Sequence, residues 1–264
     1  MLWYSLFMLE NKTSEKPINT LHSEHLTNGE RPIIASVEGY GKLTVKEVLD
    51  GSNRFRIFTE RDKENTDYVE YCGDVAFQKE HGFLTDEGGD YVISPVNAKN
   101  KVSTGYIMCT GVVGVGKDKE RDENISFLSH QYPEIFLPGK PGHEQFVADI
   151  VARIAELKER SVPGSVDSVI FGGFYYKKVK AYEGEYADSI KLLQKEVRNV
   201  LGFDPVVITG PKISELDEMT DEAVFFDTAN RRLYISRPET GDATTESYMP
   251  DDIASQTKKW RNKE

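Results

Sequence analysis

Residues 102–115 read VSTGYIMCTGVVGV, residues 117–124 KDKERDEN and residues 125–132 ISFLSHQY. The flanks are rich in β-branched and aromatic residues, and the middle is a run of polar, mostly charged side chains. That pattern predicts a β-hairpin with a solvated tip. Paired residues of an antiparallel hairpin have a constant sum. A sum of 239 would centre the turn between Lys119 and Glu120 and oppose Cys109 to His130, Gly111 to Leu128 and Val113 to Ser126. Opposed side chains share a face with Cβ atoms ~5 Å apart, so this register brings a thiol and an imidazole together. A one-residue slip would separate them.

Upstream, residues 31–95 carry the short apolar runs PIIASV, FRIF, YVEYCGDVAF, GFL and YVISPV between Gly, Asn and Asp, which read as strands and turns. Downstream, Phe146, Val147, Ile150, Val151, Ile154 and Leu157 share one face of a helix over 143–160, with Pro141 before it and Pro163-Gly164 after it. A strand over 166–171 ends at Gly172-Gly173. A second helix over 185–201 follows, with Tyr186, Ile190, Leu193, Val197 and Val200 on one face and Gly202 at its C-terminal cap. Pro205–Thr209 reads as a strand, and AVFFD and RLYIS flank TANR as a last hairpin. No internal repeat is present. The fold class expected is α+β: a mostly antiparallel sheet or sandwich with two helices packed on one face. Residues 1–30 read as a polar leader and 240–264 as a polar tail. Between them, 31–239 reads as one domain, with a β-rich part over 31–99 and a second part over 100–239.

The chain has 264 residues, with 33 basic against 44 acidic side chains and a net charge of −11. An acidic balance argues against nucleic acid and anionic membranes as partners. Lys258-Lys259-Trp260-Arg261 is too short a basic stretch to reverse that. The two cysteines, Cys72 and Cys109, exclude a disulfide framework and an all-cysteine metal site. A reducing, cytoplasmic compartment is the expectation, and export as an effector is compatible with the same sequence. Residues 1–9 lack the basic region and cleavage site of a signal peptide.

Cys109 and His130 are the candidate nucleophile and base, because an imidazole can take the thiol proton and hold a thiolate beside it as an ion pair. Thr110 and Gly111 are small enough for a backbone N–H to reach a developing oxyanion. Ser103, six residues before Cys109, falls on the same face of a regular strand and could orient the imidazole. Thr104 would reach it only through a bulge, which Gly105 permits. The alternatives are a strand cysteine that is simply core and a histidine that is simply hydrogen-bonded. Gly111 to Lys117 fits G-x-x-x-x-G-K, but Asp118 stands where a phosphate loop needs Ser or Thr, and a glycine-bearing strand is the better reading. His22 with His25, His81, His143 and the acidic pairs at Asp217-Glu218 and Asp221-Glu222 lack metal-ligand patterns, so no metal is expected.

The order of parts resembles the chemoreceptor glutamine deamidases of the CheD family and the wider cysteine-deamidase superfamily that includes cytotoxic-necrotizing-factor-type toxins. Cys109 is followed by His130 and Gln131-Tyr132-Pro133, then by IFGGF (170–174), a helix beginning Tyr186-Ala187-Asp188, and FDTANRR (226–232). The resemblance spans about residues 100–238. It implies Cys109 as nucleophile, His130 as base and Ser103, with Thr104 beside it, as the third residue. It implies a hydrolase with no cofactor whose substrate is a protein bearing glutamine. The alternative is a non-catalytic protein-interaction module on the same scaffold.

Overall fold

The computed structural model describes residues 30–34, 43–49, 55, 62–70, 74–136, 139–173, 180–209 and 222–237. Cys72, His22, His25, the acidic pair Asp217-Glu218, Asp221, the leader and the tail lie outside the described residues. Two six-stranded sheets are formed. The first runs, in spatial order, β1 (Glu30–Ile34), β2 (Thr44–Leu49), β12 (Arg232–Arg237), β11 (Glu222–Asp227), β6 (Asn100–Tyr106) and β3 (Thr66–Tyr68). The second runs β10 (Val206–Thr209), β9 (Asp167–Gly172), β7 (Thr110–Lys117), β8 (Asn124–Gln131), β5 (Tyr91–Ile93) and β4 (Leu84–Thr85). The helices are α1 (Val75–Glu80), α2 (His143–Arg160) and α3 (Lys180–Leu201).

The α+β class is as the sequence predicts, but the sheets are mixed. β12 pairs with β2, β3 with β6 and β10 with β9 in parallel. Alternation along the strands assigns each face. In β7, Val113 and Val115 join Leu43, Val45, Val224 and Leu233 in a core between the sheets, while Val112 turns outward to the helices. There Phe146, Ile150, Ile154 and Leu157 of α2 and Ile190, Leu193 and Val197 of α3 are buried at the expected helical spacing. The layers are therefore sheet, sheet, helices, with both long helices on one outer face. Gly202, at φ +87°, donates its N–H to Arg198 O at 2.9 Å and ends α3 as a C-terminal cap glycine.

Three local readings are corrected. The stretch over 102–115 is not one strand: β6 ends at Tyr106, β7 begins at Thr110, and the chain crosses from the first sheet to the second between them. Ser103 and Cys109 therefore do not share a strand. The DVAF run belongs to α1, not to a strand, because Asp74 caps it: its carboxylate accepts from Ala76 N at 2.9 Å and Phe77 N at 3.1 Å. The hairpin is present, with Thr110 opposite Gln131 and Val113 opposite Leu128, so paired numbers sum to 241 rather than 239. The cause is Asp118. Its N–H donates to Glu123 O at 2.9 Å, and its carboxylate accepts from Glu120 N at 2.7 Å and Arg121 N at 3.2 Å. That turn chemistry centres the tip one residue later than the charge pattern suggests, and it buries Asp118 within an otherwise exposed run.

The glycines of β7 answer to packing rather than to phosphate. A Cβ on Gly114 would lie 2.5 Å from Phe127 Cε1, and one on Gly116 would lie 2.0 Å from Ser161 Oγ. The strand continues straight through them, so no phosphate-cradling loop exists here.

Candidate active site

Ser103, Tyr106 and His130 meet at one end of the space between the sheets, beside the buried cluster that includes Cys109. β6 carries a bulge: Val224 pairs with Ser103 and Glu222 with Tyr106, so three steps on β6 oppose two on β11. Gly105, at φ +85°, supplies the left-handed residue the bulge requires. In a regular strand Ser103 and Tyr106 would face opposite sides. The extra residue turns both toward the second sheet, where His130 lies opposite Val92 of β5.

Ser103 Oγ lies 2.9 Å from His130 Nδ1 and also donates to the carbonyl of Val69. A hydroxyl has one hydrogen and a carbonyl can only accept, so that hydrogen goes to Val69. Toward the imidazole Ser103 is then an acceptor, and Nδ1 is the protonated nitrogen. The lone pair is left on Nε2. Ser103 thus reaches the imidazole from the opposite sheet. Thr104 does not share it: its hydroxyl donates to Glu70 Oε1 at 2.5 Å.

Tyr106 stacks on the imidazole, with ring centroids 4.0 Å apart and 15° between the planes. Phe171 meets Tyr106 edge-on at 5.2 Å, and Tyr106 OH donates to Ser129 O at 3.0 Å. Cys109, 2 % exposed, belongs to the same buried cluster as Tyr106, Phe171 and Val92. Its carbonyl accepts from Gly173 N at 2.7 Å, which fixes the turn entering β7. Continuing the observed register sets Gly111, not Cys109, opposite His130. Because the shift is two residues, Cys109 keeps the parity of His130 and sits one diagonal step along the same face. Gly111 must lack a side chain, since a Cβ there would lie 2.4 Å from Phe171 Cζ.

Thr110 and Gly111 lie in an interior strand: Thr110 pairs with Gln131 and Gly172, and Gly111 with Phe171. Both residues, expected at an oxyanion, thus have their backbone engaged in the ladder, Thr110 on both sides and Gly111 with β9. The turn residue Cys109 lies outside the ladder.

Burial pushes His130 down to about 3, against a smaller opposing effect of the Val69 carbonyl. A resting thiolate–imidazolium pair is therefore disfavoured, and the imidazole is neutral near pH 7. Burial also holds the Tyr106 hydroxyl well above its ordinary range, with Cys109 and Glu70 among the groups that add to it. The sign for stability follows. Between pH 6.5 and about 3 the unfolded chain binds a proton that folded His130 does not. Stability should fall as pH drops through that window, by at most ~1.4 kcal/mol per pH unit from this group, and be unaffected by it above. Urea titrations of wild type and His130→Gln between about pH 6 and about pH 4 should show a shallower pH slope in the variant. Equal slopes would mean that His130 titrates alike in both states.

Beside the Ser103–Val69 rung lies a second. Asp67 pairs with Lys101 across β3 and β6, and Lys101 Nζ lies 2.7 Å from Asp67 Oδ2. Burial pulls Lys101 down to about 8 against the pull of Asp67. Sequence reasoning missed Tyr106, Val69 and this pair. Only the bulge reveals the first, and only strand pairing between distant segments reveals the others.

Among the described residues, no group of three or more His, Cys, Asp or Glu side chains could hold a metal ion. His81 Nδ1 lies 2.9 Å from Phe77 O of α1, and His143 Nδ1 lies 2.7 Å from Ile135 O in the turn preceding α2, so each is held by a nearby backbone carbonyl. No described helix is long and apolar enough to cross a membrane. Ser103, Tyr106 and His130 thus form a buried group at the crossing between the two sheets, where Cys109 also lies. The chain matches no protein-family model, and no curated protein matches it.

Proposed function

We propose that the protein is a cysteine-dependent amidohydrolase that deamidates glutamine side chains of a protein substrate, as the resemblance to the CheD-like deamidases implies. The observation that carries the reading is the Ser103–His130 hydrogen bond of 2.9 Å, with the Ser103 proton committed to Val69. It leaves the base lone pair on Nε2 inside the cluster that holds Cys109.

In the proposed reaction the Cys109 sulfur attacks the carboxamide carbon as its proton passes to His130 Nε2. The C=O π pair moves to oxygen, and the Cys109 N–H, outside the ladder, is the backbone donor we assign to that oxyanion. Collapse of the adduct expels ammonia, which takes its proton from the imidazolium, and leaves a thioester. Water then loses a proton to His130, attacks the thioester and releases glutamate and the thiol. No cofactor enters any step. The depressed basicity of His130 sets a requirement. Protonating it costs roughly 5 kcal/mol more than for a solvated histidine. An anion ~4 Å away returns about 4 kcal/mol at an effective dielectric of 20. The imidazolium is thus supported only while the oxyanion exists, a differential effect that favours the transition state over the resting enzyme.

The test is ammonia release from glutamine-bearing proteins. Ser103→Ala should lose about 10²- to 10⁴-fold in kcat, because the proton can then move to Nε2. Ser103→Thr keeps the hydroxyl and should recover most of the rate. Thr104→Ala should stay near wild type, since its hydroxyl serves Glu70. Equal activity of Ser103→Ala and wild type would remove the orienting role, and no ammonia release from the wild type would favour a non-catalytic interaction module.

A further inference from the structure

A cavity of about 630 Å³ lies beside β3 and α1, with Asp67 in its lining. Its size falls within the range of small-molecule sites. One wall is aromatic. Phe77 is 54 % exposed, and its ring stacks on His81 with centroids 3.9 Å apart and 29° between planes. Phe83 is part of the same lining. An aromatic pair open to a cavity offers a flat apolar surface to a planar group.

The charges set the sign of the occupant. Lys63 and Lys99 line the cavity and are both exposed. Asp67 is the one acid among the described lining residues. Its charge is already answered: Oδ2 accepts from Lys101 at 2.7 Å and from Asn97 Nδ2 at 2.9 Å, while Lys99 stands 3.9 Å from Oδ1. With Asp67 neutralised by buried Lys101, two lysines are left in excess at an aromatic-walled cavity, on a chain whose net charge is −11. His81 adds a directional group. Its Nδ1 donates to the Phe77 carbonyl at 2.9 Å, which holds the ring in its stacked orientation.

We propose that this cavity is a binding site for a small planar anion, an aromatic ring bearing a carboxylate, sulfonate or phosphate. The ring lies against Phe77, and the anionic group meets Lys63 and Lys99. The site is independent of the Cys109 chemistry.

The test uses 1-anilinonaphthalene-8-sulfonate as the planar anion and N-phenyl-1-naphthylamine as its uncharged counterpart, each titrated by fluorescence. Saturable binding of the sulfonate is expected. The double variant Lys63→Glu/Lys99→Glu should weaken it about tenfold, the sum of two lost surface pairs and two new repulsions, and leave the uncharged probe unchanged. Phe77→Ser should weaken both probes. All three positions are exposed, so the variants should fold, which circular dichroism would check. Added salt should weaken the sulfonate alone. Unsaturable binding, or sulfonate affinity unchanged in the charge-reversed variant, would overturn the proposal.

Discussion

Cys109→Ala is expected to abolish ammonia release from a glutamine-bearing protein, by about 10⁴-fold or more, while leaving the fold intact. The two halves of this expectation rest on different quantities. Removing the sulfur removes the covalent route, and neither His130 nor Ser103 can supply a substitute nucleophile in the same place. The stability cost stays small because a methyl replaces a thiol in the buried cluster, a deletion worth at most about 1–2 kcal/mol. His130→Ala should be comparably damaging, since nucleophile and base act as a unit. Cys72→Ala is the control and should retain activity. A fully active Cys109→Ala, with unaltered melting, would show that the nucleophile is misassigned, whereas a wild type that turns over no amide substrate would leave the interaction-module reading in its place.

Gly172→Ala is expected to be strongly destabilising, because strain and overpacking act on the same residue. Gly172 sits at φ +80°, and an added Cβ would lie 2.7 Å from the Cys109 carbonyl and 3.3 Å from Tyr106 Cδ1. The carbonyl cannot retreat freely, because Gly173 N–H holds it at 2.7 Å. Left-handed backbone costs a residue with a side chain about 1–2 kcal/mol. Overpacking against fixed backbone adds about 1–3 kcal/mol. The sum, roughly 2–5 kcal/mol, corresponds to a Tm lower by roughly 5–15 °C in a chain of this size. Gly202→Ala separates the two parts. Gly202 has φ +87° but nothing within 4 Å of the added Cβ, so it should cost only the backbone strain. Equal losses in the two variants would show that the contact with Cys109 carries no energy.

The elements with strong periodicity were legible in the sequence. The helix over 143–160 and the β11–β12 hairpin follow from spacing and turn residues alone. The β7–β8 hairpin was legible in kind but not in register, because the Asp118 side chain, rather than the charge pattern, positions the tip. The error of two residues preserved side-chain parity, so Cys109 and His130 remain on one face. What could not be read was the crossing at 107–109. Gly105 and Tyr106 continue a β-prone composition, and only pairing with β11 marks where β6 stops. The same bulge explains why Ser103 reaches His130 from another sheet and why Tyr106, unremarkable in sequence, stacks on the imidazole. Of Ser103 and Thr104, Ser103 bonds to His130 and Thr104 to Glu70, a difference that only the folded backbone reveals.

The central claim is that Cys109 becomes covalently acylated during turnover. The direct measurement is mass spectrometry of the protein after acid quench of its reaction with a glutamine-bearing peptide. A thioester should be found, its mass that of the peptide less ammonia, mapped to Cys109 and absent from Cys109→Ala. Ammonia release with no adduct on Cys109, or an adduct on Cys72 instead, would contradict the account.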